Sequence, residues 1–123
     1  MRTTFALAAA GGLAALGPAS AADPPIRVAA FFWHDSPADE AALLGFREGL
    51  RAARLPWAVE VHRAGGEASV AAERLAAIRA SGPDLVLALG ARAALLARDA
   101  IPDFPICFTA VTNPVASGVV AGW

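Results

Sequence analysis

Apolar and polar positions divide this chain into short alternating blocks, and each block has the length and period of one secondary-structure element. Ile26-Arg27-Val28-Ala29-Ala30-Phe31-Phe32 is a nearly unbroken apolar run entered from Pro24-Pro25, which predicts a first strand. A helix start follows. Ser36 supplies a hydroxyl for the N-cap, Pro37 fits the first helical position, and Asp39 places a carboxylate three residues on. The helix runs to about Ala53, with Leu43, Phe46 and Leu50 on one face and Arg47, Glu48, Arg51 and Arg54 mostly on the other, and Leu55-Pro56 ends it. Trp57 to Arg63 alternates apolar and polar residues, the pattern of a half-exposed strand nearer a sheet edge, on which His62 falls on the exposed, solvated side. Ala64-Gly65-Gly66 turns the chain into a second helix over about Ser69 to Ala80. Val70, Ala71, Arg74, Leu75 and Ile78 share one face of it, and Gly82-Pro83 closes it.

Asp84 to Leu89 reads as an apolar central strand ending at Gly90, and a short alanine-rich helix is expected from Ala91 to Asp99. The run from Phe104 to Phe108 suits a strand buried on both faces. It breaks into hydroxyls and an Asn-Pro turn signal at Thr109-Ala110-Val111-Thr112-Asn113-Pro114. Strands alternating with helices through short connections predict an α/β fold, a doubly wound parallel sheet with right-handed crossovers and helices on both faces. Ligands bind such sheets outside the carboxyl ends of the strands, which puts Thr109 and Thr112 where binding groups belong.

The first residues follow a different pattern. Met1-Arg2-Thr3-Thr4 is a charged start, Phe5 to Leu16 is an uncharged apolar run too short to span a bilayer, and Ala19-Ser20-Ala21 offers an A-x-A cleavage site. Residues 1–21 are therefore expected to be a secretory signal peptide, with cleavage after Ala22 as a close alternative. The chain is 57% hydrophobic, and part of that excess belongs to this leader. Without Arg2, nine arginines face eleven acids, a balance of −2, and there is no lysine. Such a chain lacks the basic patch that neutralises phosphates, so no nucleic acid, neither DNA nor RNA, is expected as a partner. Cys107, the single cysteine, reads as a small buried hydrophobe. Two histidines and one cysteine without ligand-like spacing predict no metal site, and no cofactor is expected. Trp33-His34-Asp35-Ser36-Pro37 stands where a dinucleotide-binding enzyme carries its glycine fingerprint, and a receiver-type phosphoacceptor domain would need a lysine. Neighbouring His34, Asp35 and Ser36 cannot converge as a catalytic triad, so no enzyme is expected.

Phe104-Pro105-Ile106-Cys107-Phe108-Thr109-Ala110-Val111-Thr112-Asn113-Pro114-Val115 resembles a stretch of the solute-binding proteins of ABC transporters, in the group that takes up tryptophan, tyrosine and related amino acids. The opening Pro25-Ile26-Arg27-Val28, Gly45-Phe46-Arg47-Glu48-Gly49-Leu50 and Pro83-Asp84-Leu85-Val86-Leu87-Ala88 resemble the N-terminal lobe of that family in the same order. The resemblance implies a type I periplasmic-binding-protein fold, in which two α/β lobes clamp a small solute, and implies export to the periplasm and an ABC permease as partner. It makes residues 22–123 an N-terminal lobe, where family members continue into a hinge and second lobe, so an incomplete chain is expected. The alternative is the same lobe used as the input domain of a sensory system.

The expected ligand-binding positions are Trp33 and Ser36 after the first strand, Gly90, Ala91 and Arg92 after the third, and Thr109, Ala110 and Thr112 after the fourth. Helix N-termini offer oriented N–H groups to a carboxylate, and hydroxyls add directional bonds. By resemblance, Ser36, Ala91 and Thr109 lie on ligand-facing turns. Each position also has a plainer reading. Trp33 is a stacking wall or lid packing, Arg92 a partner for an anionic ligand group or a solvated charge, and Thr112-Asn113-Pro114 a binding turn or an N-cap.

Overall fold

A computed structural model describes residues 24–121, so the leader expected at residues 1–21 lies outside the described residues. The order is β1 (Ile26–Phe32), α1 (Pro37–Ala52), β2 (Trp57–Arg63), α2 (Ala68–Ser81), β3 (Leu85–Leu89), α3 (Ala91–Ala100) and β4 (Ile106–Thr109). All neighbouring strands are parallel, in the order β2-β1-β3-β4. The chain steps from β1 to β2 on one side and then crosses back to β3 on the other. Strand order therefore reverses between β1 and β3, which is where folds of this type open a crevice.

The central strands are apolar because both of their faces are covered. Val28, Ala30, Phe32, Leu87 and Leu89 point to one side and pack with Leu43 and Phe46 of α1. Ala29, Phe31, Val86 and Ala88 point to the other, against Ala71, Leu75 and Ile78 of α2 and Ala93, Ala94 and Ala97 of α3. The period of two along each strand thus divides one sheet between two cores, and the doubly wound arrangement expected from the sequence is the one observed. Alanines on α3 let its backbone approach the sheet closely.

The helix ends follow their local chemistry. Ser36 Oγ accepts from the Asp39 amide at 3.1 Å and caps α1, with Pro37 beginning the helix. At the other end the Arg54 amide donates to the Arg51 carbonyl and Leu55 to Leu50, a Schellman closure whose left-handed residue is Arg54 (φ 59) rather than glycine. α2 ends on Gly82 in that conformation (φ 60). Arg74, expected on the inner face of α2, is exposed, because Ala71, Leu75 and Ile78 already fill that face.

Three expectations are corrected. β4 is not buried on both faces: it lies at the edge of the sheet, its residues are half-buried or exposed, and α3 covers one side only. Cys107 is consequently exposed rather than a buried hydrophobe. His62 is not solvated, since its side chain is 13% exposed, its Nε2 lies 3.2 Å from Glu60 and its Nδ1 is sealed without a partner.

Candidate functional site at the strand ends

Register makes the C-terminal edge of the sheet level. Phe32 pairs with Arg63 on one side and Leu89 on the other, and Leu89 pairs with Thr109, so all four strands stop on one line. The residues just past that line, Trp33, Gly90 and Ala110, are therefore brought to the same edge although 77 positions separate the first from the last. The Gly90 amide donates to the Thr109 carbonyl at 2.9 Å and locks the two turns together.

Each expected position has a definite place. Ala91, Ala110 and Thr112 line an open cavity of about 430 Å³, together with Val111, Asn113, Ala116 and Ser117, which sequence reasoning did not select. Gly90 precedes α3 with φ 98, a conformation that favours glycine, and no side chain caps the helix behind it. Its first N–H groups therefore lack the side-chain acceptor that α1 has in Ser36. Ala110 adopts φ 62, a left-handed conformation that costs a residue with a Cβ about 1 kcal/mol. Strain of this kind collects at binding turns. Thr109 is half-buried at the end of β4 and is not among the cavity's lining residues. Ser36 spends its hydroxyl on the α1 cap.

Trp33 and Arg92 are brought together, and neither reading of them alone describes the result. The Arg92 guanidinium stands over the Trp33 ring at 4.7 Å, while the indole packs half-buried against the α2–α3 core. One ring face is thus taken, and the guanidinium has no acceptor among the described residues. Beside them Arg63 lies 4.3 Å over the Phe32 ring and pairs with Asp35 at 2.7 Å and Glu40 at 2.5 Å. Those bonds, Glu40 foremost, hold the Arg63 guanidinium above its ordinary pKa, so the cluster is a fixed brace of charge.

Asn113 behaves as a cap. Its Oδ1 accepts from the Ala116 amide at 3.0 Å, and its carbonyl accepts from both the amide and the hydroxyl of Ser117. The turn after Pro114 is tied down further by Arg98, which donates to the Gly118 carbonyl at 2.7 Å, and by Val119 against the α3–β4 core.

Asp39 also lies at this edge, although sequence reasoning did not select it. It is 6% exposed, the one buried charged side chain among the described residues, and its carboxylate oxygens lie 3.6 Å from where a Cβ on Gly90 would stand. The sequence held a signal for this: Asp39 shares the apolar stripe of α1 with Leu43 and Phe46, at the i, i+4, i+7 spacing of a buried face. Its cap position hid that signal.

Among the described residues no group of three or more acids, histidines or cysteines is arranged to hold a metal ion, and no helix is long and apolar enough to cross a membrane.

Residues 25–123 match the family model described as ABC transporter substrate binding protein. A conserved domain protein from Vibrio cholerae O1 biovar El Tor superposes with a TM-score of 0.74 at 25% identity, over 80% of this chain and 35% of that one. The ABC domain in complex with L-Trp from Streptococcus pneumoniae gives 0.73 at 20% identity, over 80% and 35%. The ligand-free, open structure of a substrate-binding protein with adhesive properties from Clostridium difficile gives 0.70 at 24% identity, over 78% and 34%. This chain thus spans about a third of the length of these solved structures. No match was found among curated proteins.

Proposed function

From a chain that belongs to the ABC transporter substrate-binding protein family, we propose that the exported protein is the solute-binding component of an importer and receives an amino acid, or a related small zwitterion, at the C-terminal ends of β1, β3 and β4. The observation that carries this reading is the level strand edge with an open cavity beside the N-terminus of a ten-residue helix that no side chain caps. Such an end attracts a carboxylate through its N–H groups and dipole. Arg92 adds a guanidinium without an acceptor among the described residues, and Thr112 adds an exposed hydroxyl on the cavity wall. A structural neighbour in complex with L-Trp favours an aromatic amino acid within that class.

In this reading residues 1–21 direct export and are removed, the mature protein works in the periplasm, and an ABC permease takes the solute from it. N-terminal sequencing of periplasmic protein then begins at Ala22 or Asp23, and intact Met1 in the cytosol contradicts export. The site is tested by filling it. Ala91→Phe puts a ring into the cavity at the first position of α3 and weakens L-tryptophan binding about tenfold or more, about 1.4 kcal/mol, by calorimetry. Unchanged affinity overturns the cavity as the binding place.

A further inference from the structure

We propose that the Asp39 carboxylate is the acceptor for the ammonium group of the solute, an inference that rests on the strand-end site proposed above. Asp39 belongs to α1, on one side of the sheet, while Gly90 opens α3 on the other, and the carboxylate reaches across the β1–β3 reversal to within 3.6 Å of where a Cβ on Gly90 would stand. That is the crevice position in a doubly wound sheet. A carboxylate buried this far requires a partner, because a charge removed from water without one is costly. The other acids around it are engaged, since Asp35 and Glu40 both accept from Arg63. Asp39 is not. Its amide bonds Ser36 Oγ, but its carboxylate has no hydrogen-bond partner among the described residues, and the reciprocal half of a capping box is not formed.

Two helix N-termini, those of α1 and α3, present positive dipole ends beside this carboxylate. They stabilise a charge without consuming its lone pairs. Arg92, at the second position of α3, is a cation with no acceptor among the described residues. An anion beside Gly90 and a cation two residues further on, neither paired among the described residues, match the two charges of a zwitterion, with its ammonium toward Asp39 and its carboxylate toward α3.

Three probes separate the charges: L-tryptophan carries both, tryptamine only the ammonium, and indole-3-propionate only the carboxylate. Each is titrated into the full chain while the backbone amides of Asp39, Gly90 and Ala91 are followed by NMR. The wild-type protein responds to L-tryptophan and to tryptamine at these amides. In Asp39→Asn, which keeps size and helix position, the apparent Kd for both ammonium-bearing probes rises about tenfold or more, while that for indole-3-propionate is unchanged or falls. Equal affinities of Asp39→Asn and wild type for tryptamine overturn the role of Asp39 and leave the strand-end site standing. If the variant fails to fold, the wild type alone decides, because a response to indole-3-propionate with none to tryptamine rejects the proposal. No response to any probe overturns the solute site and the role of Asp39 together.

Discussion

The two ends of this sheet are finished in opposite ways. At the end where the strands begin, polar groups are answered: Asp84 accepts from the Arg27 amide at 2.9 Å, Arg27 reaches the Gly82 carbonyl, and Arg79 joins Asp103 at 2.9 Å, the Ala100 carbonyl and the face of Phe104. At the end where the strands stop, Asp39 is buried, neither its carboxylate nor Arg92 has a hydrogen-bond partner among the described residues, no side chain caps α3, and Ala110 sits in a strained conformation beside an open cavity. One end is closed by paired groups, while the other, beside its Arg63 brace, keeps groups that no described residue answers. Consistency across levels is what makes a fold, and its local failures collect where function is carried. The difference between the ends is therefore evidence about the site, independent of any relative.

The largest expected effect breaks the closed end. Asp84→Ala removes the acceptor of the Arg27 amide at the mouth of β1 and lowers stability by about 1 to 2 kcal/mol in urea unfolding, with solute binding unchanged. A change in solute affinity from this substitution would mean that the two ends are not separate. Next come the two left-handed residues that are not glycine. Arg54→Gly, at the close of α1, stabilises by about 1 kcal/mol and does nothing else. Ala110→Gly gains a similar amount but loosens the binding turn, so stability rises as solute affinity falls. Equal behaviour of the two variants would remove strand-end strain from the account.

The smallest effect is acidic. The Arg79 guanidinium, followed by a backbone hydrogen bond, holds the Asp103 carboxyl below its ordinary value of 3.8. A depressed carboxylate pKa adds stability above that ordinary value, and the contribution is lost as pH falls through the lower folded value. Asp103→Asn therefore flattens the fall of melting temperature below about pH 4 slightly, as befits a surface pair screened by solvent.

The central architecture was legible because burial on both faces leaves an unmistakable mark. Ile26–Phe32 and Leu85–Leu89 cannot be read as anything but covered strands, and Ser36-Pro37 announces α1 with two local signals. The edges were less legible. Ile106–Thr109 is as apolar as a central strand, and its text does not say that α3 covers only one of its faces. His62 shows the converse, a polar letter in an alternating strand whose ring is nonetheless tucked in. At the site, single-residue types were visible while pairings were not. The stacking of Arg92 on Trp33 depends on register across β1 and β3, and the approach of Asp39 to Gly90 depends on the crossing of two layers. Neither distance is written in local sequence.

The central claim is that solute meets the unsatisfied end of the sheet, and the most direct test is where L-tryptophan is felt along the backbone. Amide shifts measured through a titration of the chain are expected at Gly90, Ala91 and Arg92 and from Ala110 to Asn113, with Gly82, Asp84 and Asp103 silent. Shifts centred on Gly82, Asp84 and Asp103, with the turns after β3 and β4 unmoved, would place the ligand at the closed end and contradict the account.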